Sequence, residues 1–216
     1  MSNYSVEAVE LNKTFGRRLI FKNLNFEFED KGIFGISGAN GSGKSTLVKI
    51  IAGVISPTQG KIIHKEDHKE IPPENLHNYI GFVSPYLVLY EEFSAYENLS
   101  YFARIRGVEL NKEKIDYLLN EFLLFDRRND FVKAYSSGMK QRLKFIFALM
   151  HSPKLIILDE PTSNLDDKGK ESVYKIIESE SKTSIAVIAS NEKSDLAICE
   201  SIIELEKFKN NKMNHS

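Results

Sequence analysis

The sequence predicts an α/β fold built on a parallel sheet with both faces covered, and three observations carry that prediction. Residues 154–158 and 185–189 are almost wholly apolar, and continuous apolar strands set between helices belong to parallel sheets, whose two faces are both packed. Residues 97–106, 112–124 and 139–150 carry apolar side chains at helical spacing; in the last, Leu143, Ile146, Phe147 and Met150 fall at i, i+3, i+4 and i+7. Residues 32–37 form a short apolar run that enters a glycine-rich segment, followed by a helical pattern over 46–52 that stops at Gly53.

The front of the chain reads differently. Residues 6–15 and 24–28 are rich in β-formers and partly alternate, with Gly16 between them, which predicts antiparallel strands. Residues 56–60, Ser-Pro-Thr-Gln-Gly, predict a turn. The expected layout is one domain over 1–216: an α/β core, an N-terminal antiparallel β piece, a helical insertion over about 86–150, and a polar tail at about 207–216 that frays.

Composition narrows the classes. Hydrophobic residues make up 42% and charged residues 27%, which suits a globular chain and not a disordered one. A formal net charge of −1 gives no electrostatic reason to expect nucleic acid as a partner. Cys199 is the only cysteine, so an intrachain disulfide is excluded, in keeping with a reducing compartment. Residues 1–10 lack the apolar stretch of a signal peptide, and no run approaches the roughly 18 apolar residues of a membrane helix. A membrane role would need the spanning part from another chain.

Gly38-Ala39-Asn40-Gly41-Ser42-Gly43-Lys44-Ser45 matches G-x-x-x-x-G-K-[ST] in full. Glycines let the backbone curl so that successive N–H groups face a phosphate. The helix that opens near Lys44, with Ser45 and Thr46 in its first turn, adds its positive end. Lys44 reaches the β- and γ-phosphates, and the Ser45 hydroxyl takes a place on Mg²⁺. An accidental glycine-rich turn would not sit between an apolar strand and a helix. The pattern predicts a P-loop NTPase with a RecA-like core that binds ATP with Mg²⁺.

Residues 154–161 read as a buried strand ending in two acids, Asp159 and Glu160. Ligands of open α/β sheets gather at the carboxyl ends of strands. Asp159 is expected to hold Mg²⁺, directly or through water, and Glu160 to polarise a water for attack on the γ-phosphate. An ordinary strand end also exposes acids; the full P-loop beside this one favours the site.

The sequence resembles the ATP-binding cassette (ABC) ATPases from about Val6 to Leu205. Beyond the P-loop and the acid-tipped strand, three motifs stand in that family's order. Tyr135-Ser136-Ser137-Gly138-Met139-Lys140-Gln141-Arg142 looks like the LSGGQ signature, with Tyr135 for Leu, Ser137 for the first Gly and Met139 for Gln. Ser163-Asn164-Leu165-Asp166 looks like the D-loop, and Phe15 sits where the family has an aromatic that stacks on adenine. The resemblance implies that Ser136, Ser137 and Gly138, at a helix start, hold the γ-phosphate bound to a second cassette, so that two copies sandwich two nucleotides. It further implies ATP hydrolysis coupled to transport through separate transmembrane permease subunits, at the inner face of the cell membrane. Ser136 also suits a plain helix cap, and Phe15 a core residue.

Two positions depart from the family. Pro85 stands where the family has Gln, and proline offers no side-chain oxygen; Asn191 stands where the family has a His that touches the γ-phosphate, and it donates a hydrogen bond without charge. Hydrolysis is expected to survive through Lys44, Asp159 and Glu160 but to run slowly, or the chain acts as a nucleotide-binding regulatory subunit. Soluble family members acting on ribosomes or DNA usually carry two cassettes or a long coiled coil, neither present here. Tyr86, Tyr90, Phe93 and Tyr96 follow Pro85 and either meet a membrane subunit or form the core of the insertion. Arg17 and Arg18 read as solvated surface, and the five histidines show no metal-ligand spacing.

Overall fold

A computed structural model describes residues 3–29 and 31–209. In chain order the elements are β1 (Tyr4–Phe15), β2 (Arg18–Glu29), β3 (Gly32–Ser37), α1 (Lys44–Ile51), β4 (Gln59–Glu66), β5 (Lys69–Glu70), β6 (Ile80–Val83), α2 (Ala95–Arg106), α3 (Lys112–Glu121), α4 (Ser137–Leu149), β7 (Leu155–Asp159), α5 (Asp167–Glu180), β8 (Ile185–Ser190), α6 (Lys193–Leu196) and β9 (Ser201–Glu204). They form an antiparallel sheet ordered β2-β1-β4-β5 and a parallel sheet ordered β6-β7-β8-β3-β9.

Both faces of the parallel sheet are packed, and the alternation of its strands shows how. Leu155 and Ile157 of β7, with Ile185 and Val187 of β8, join Leu47, Val48 and Ile51 of α1 and Phe21 and Leu24 of β2. The residues between them, Ile156, Leu158, Ala186 and Ile188, face the other way onto Phe145, Ile146 and Leu149 of α4 and Val173, Ile176 and Ile177 of α5. Successive side chains of a strand point to opposite faces, so a strand covered twice must be apolar throughout. That is why β7 and β8 read so clearly in the sequence.

Other elements were harder to read. β2 begins at Arg18, not near Leu24; Asn23, at φ 52°, interrupts it at a register shift. β4 carries little strand signal because only Ile62 and Ile63 are apolar within QGKIIHKE, and the predicted 56–60 turn gives way to this strand at Gln59. α5 has only Val173, Ile176 and Ile177 as buried aliphatics. Helix α2 starts two residues before the expected 97 because Ser94 and Glu97 form a reciprocal capping box. α3 stops at Glu121, short of the expected 124, with Leu123 at φ 56°. Of the expected tail, Lys207 and Phe208 belong to a 3₁₀ turn at Leu205–Phe208, and residues 210–216 lie outside the described residues.

Candidate functional site

The carboxyl ends of β3, β7 and β8 meet at one edge of the parallel sheet, and the loop 38–43 rises from β3 there into α1. Two glycines are required by close approach. A Cβ on Gly38 would lie 2.5 Å from Ser42 Oγ, and Gly43, at φ 111°, caps α1 with Ile20 of β2 packed where its Cβ would go. Only glycine avoids both clashes at such backbone angles. The first amides of α1 have no acceptor within the helix.

The loop borders a cleft of about 710 Å³, ample for a nucleotide. Phe15, Asn40, Gly41, Ser42, Gly43, Lys44, Ser45, Thr46, Asp159, Glu160 and Asn191 all line it, as do Pro85 and Tyr86. Gly38 and Ala39 sit just behind: the Lys44 ammonium donates to Gly38 O at 2.9 Å, and the Ala39 N–H donates to Glu206 Oε1 at 3.1 Å. Glu206 comes from the 3₁₀ turn after β9, 167 residues from Ala39, and no local pattern announces it.

The acids of β7 face the loop. The Ser45 hydroxyl donates to Asp159 Oδ1 at 3.0 Å, and Lys44 Nζ lies 3.2 Å from Glu160 Oε1. Asp159 is 1% exposed, and its Oδ2 is buried without a hydrogen-bond partner among the described residues. Burial pushes the Asp159 carboxyl above its usual range, with the Ser45 hydrogen bond acting against the shift. An orphaned carboxylate oxygen beside a serine hydroxyl is the hard-oxygen pair that Mg²⁺ prefers, and one such cation would satisfy it. The residues present therefore fit Mg²⁺.

The remaining predicted residues fall into two groups. At the cleft, Asn191 Nδ2 donates to Asn40 Oδ1 at 3.2 Å, tying the β8 tip to the loop. Pro85 offers only its carbonyl, which accepts from Lys144 Nζ at 2.8 Å. The half-exposed Phe15 ring carries the Lys13 ammonium 4.7 Å from its centroid. Ser136, Ser137, Gly138 and Asp166 do not line the cleft. Ser136 caps α4, accepting from the Met139 N–H at 3.2 Å, and Asp166 caps α5, accepting from the Gly169 N–H at 2.9 Å. Gly138 packs on the loop before α5, where a Cβ would lie 3.1 Å from Asn164 O. These two motifs are neighbours of each other, and the phosphate loop lies elsewhere in the same chain.

Arg18 is exposed, as its sequence reading has it, yet it also belongs to the cleft. It lines the cleft, and its guanidinium donates to Gly41 O at 3.3 Å. Strand periodicity was the available signal: Arg18 and Ile20 are two residues apart on β2, and Ile20 packs on Gly43. Among the aromatics after Pro85, Tyr96 is partly buried against the core, whereas Tyr86 and Tyr90 are exposed. The Tyr86 ring also carries the Lys49 ammonium 4.5 Å from its centroid.

A glycine-rich loop between a strand and a helix, facing an acid-tipped parallel strand, defines a nucleotide-binding protein of the P-loop class. The profile of the ABC transporter family matches residues 21–163, and the chain belongs to that family, as an ATP-binding subunit. It is 37% identical over 181 residues to the lantibiotic transport ATP-binding protein SrtF of Streptococcus pyogenes, covering 84% of this chain and 77% of that one. It is 35% identical over 195 residues to the lipoprotein-releasing system ATP-binding protein LolD of Leptospira interrogans, covering 86% and 82%. Among solved structures it is similar to CbiO1 of Clostridium perfringens, part of an ABC transporter complex, with a TM-score of 0.78 at 26% identity over 94% of this chain and 84% of that one.

Proposed function

We propose that this protein hydrolyses ATP with Mg²⁺ and powers transport through transmembrane permease subunits on separate chains, working as a homodimer at the cytoplasmic face of the cell membrane. One observation carries the reading. Lys44, Ser45, Asp159 and Glu160 meet across the cleft through contacts of 3.2 and 3.0 Å, with one buried carboxylate oxygen left open.

Ser45 and Asp159 would hold the metal, which supplies charge neutralisation along the phosphate chain. Lys44 and the first amides of α1 bind the phosphates, and the loop from Gly38 to Gly43 wraps them. Glu160 accepts a proton from the attacking water. Asn191 donates to the γ-phosphate, and the Phe15 ring stacks on adenine. Ser136, Ser137, Gly138 and Asp166 lie off the cleft, which fits their serving the nucleotide of a second copy in an isologous pair. Among the described residues no helix is long and apolar enough to cross a membrane, so the spanning part falls to a partner. Exposed Tyr86 and Tyr90 suit contact with it. The relatives' named roles, lantibiotic transport and lipoprotein release, differ from each other, and cargo is read by the membrane chain.

Pro85 and Asn191 favour a second reading, a nucleotide-binding regulatory subunit that hardly turns over. Steady-state phosphate release separates the two. An enzyme loses turnover in Glu160→Gln and accumulates an ATP-bound dimer, visible by size-exclusion chromatography. If Glu160→Gln behaves as wild type in both assays, the hydrolysis reading fails.

A further inference from the structure

The tips of β7 and β8 are joined by a buried carboxylate that none of the site motifs includes. Asp195 lies in α6 and is fully buried. Three hydroxyls meet it: Thr162 Oγ1 donates to Oδ1 at 2.8 Å, Tyr174 OH to Oδ1 at 2.7 Å, and Ser190 Oγ to Oδ2 at 2.7 Å. A buried charge met by three donors is held firmly, and removing a donor leaves part of its desolvation uncompensated.

The positions of those donors matter. Thr162 stands two residues past Glu160, in the loop that leads to Asp166. Ser190 is the last residue of β8, immediately before Asn191, and its Oγ also accepts from the Glu192 N–H at 3.1 Å. Tyr174 anchors α5, the helix capped by Asp166. Glu160 itself is held at φ 51°, a left-handed conformation unusual for a residue with a side chain, and its N–H donates to Ala189 O at 2.8 Å. Such a conformation persists only where surrounding contacts over-determine it. The backbone bond holds one side of the Glu160 turn; the Thr162 hydroxyl on Asp195 holds the other.

We infer that Asp195 is a positioning residue that locks the β7 and β8 tips together, so that Glu160 and Asn191 keep one mutual geometry. Its consequence for turnover rests on the hydrolysis reading; the coupling of the two loops does not.

Amide hydrogen exchange on the nucleotide-free protein tests the coupling directly. Asp195→Asn speeds exchange at residues 160–166 and 190–192 by about tenfold and leaves α1 and α4 unchanged. Thr162→Val and Ser190→Ala each reproduce part of the pattern and stand in should the Asp195 variant fail to fold. A uniform rise across the chain, or no rise, overturns the proposal. Steady-state kinetics add a second readout: Asp195→Asn lowers kcat by about tenfold to a hundredfold, as misplacement of reacting groups by up to about 1 Å does, with nucleotide affinity within about twofold of wild type. Tyr174→Phe, which removes the donor on α5 and leaves both strand-tip donors in place, lowers the melting temperature and costs less kcat than Ser190→Ala. Equal loss of kcat in Tyr174→Phe and Ser190→Ala also overturns it. A wild type that binds nucleotide without turnover sinks the hydrolysis reading instead, and the exchange pattern still decides the role of Asp195.

Discussion

The ammonium of Lys44 lies 3.2 Å from the carboxylate of Glu160, and the two charges come from opposite walls of the nucleotide cleft. Lys44 is almost fully buried and Glu160 only partly, so without phosphate the acid serves as the resting counter-ion of the lysine. On the proposed function, bound triphosphate is expected to take over that role and free Glu160. Lys44→Ala is therefore expected to weaken MgATP binding by at least about tenfold, since a buried charge-assisted contact is worth on the order of 1.5–3 kcal/mol. Glu160→Gln keeps MgATP binding and loses turnover by about a hundredfold or more. Isothermal titration and phosphate release read the two effects, and Lys44→Ala binding as tightly as wild type would remove the cradle from the account.

Asn191 reaches the loop through Asn40 at 3.2 Å but brings no charge to the cleft. A histidine there would add a donor that can become cationic. Asn191→His is expected to raise kcat by roughly a hundredfold, the lower end of the scale of one transition-state contact, with little change in KM. Unchanged turnover would mean that Asn191 does not limit the rate.

Arg18 extends the basic lining of the cleft beyond the motif, with its guanidinium 3.3 Å from Gly41 O. It is solvent-exposed, so its contribution is modest. Arg18→Gln should weaken MgATP binding by about fivefold, or about 1 kcal/mol, and flatten the dependence of binding on salt. The melting temperature should stay put, because Ile20 still packs on Gly43. A variant that binds as wild type at low salt would confine Arg18 to bracing the loop.

His64 of β4 sets an acid limit on stability. It is buried, its Nδ1 lies 2.8 Å from Tyr4 OH, and burial lowers its pKa from 6.5 to about 4. The folded chain keeps the ring neutral while the unfolded chain takes up a proton below pH 6.5. The contribution is thus complete above about pH 6.5 and is lost progressively as the pH falls toward 4, amounting to about 3 kcal/mol. His151, lowered to about 4 by burial and by neighbouring Arg106, acts in the same direction. Urea denaturation at pH 7, 5.5 and 4.5 should show the decline, and His64→Gln should reduce it. An equal decline in that variant would assign the effect elsewhere.

Legibility in the sequence followed the physics of each element. Lys44, Ser45 and the glycines of the loop are a local solution to phosphate binding, so they appear as one unbroken motif. β7 and β8 are covered on both faces and so read as pure apolar runs. β4 and α5 are half-solvated, and their polar faces hid them. Arg18 is at the surface, as it read, but its place beside the loop was hidden because its contact, Gly41, lies 23 residues away.

From the sequence alone came the class of fold, the phosphate loop, the acids at the β7 tip and the family signature, because each is a contiguous pattern whose chemistry demands those residue types in that order. Only the tertiary structure decided which residues meet. It joined Asp195 to Thr162 and Ser190, Glu206 to Ala39, and Arg18 to Gly41, and it kept Ser136 and Asp166 off the cleft. The Asp195 contacts arise where the parallel sheet brings distant strand ends together, and burial there gives each polar group few partners to choose from; the Glu206 and Arg18 contacts are exposed and exist because the folded chain lays those segments beside the loop.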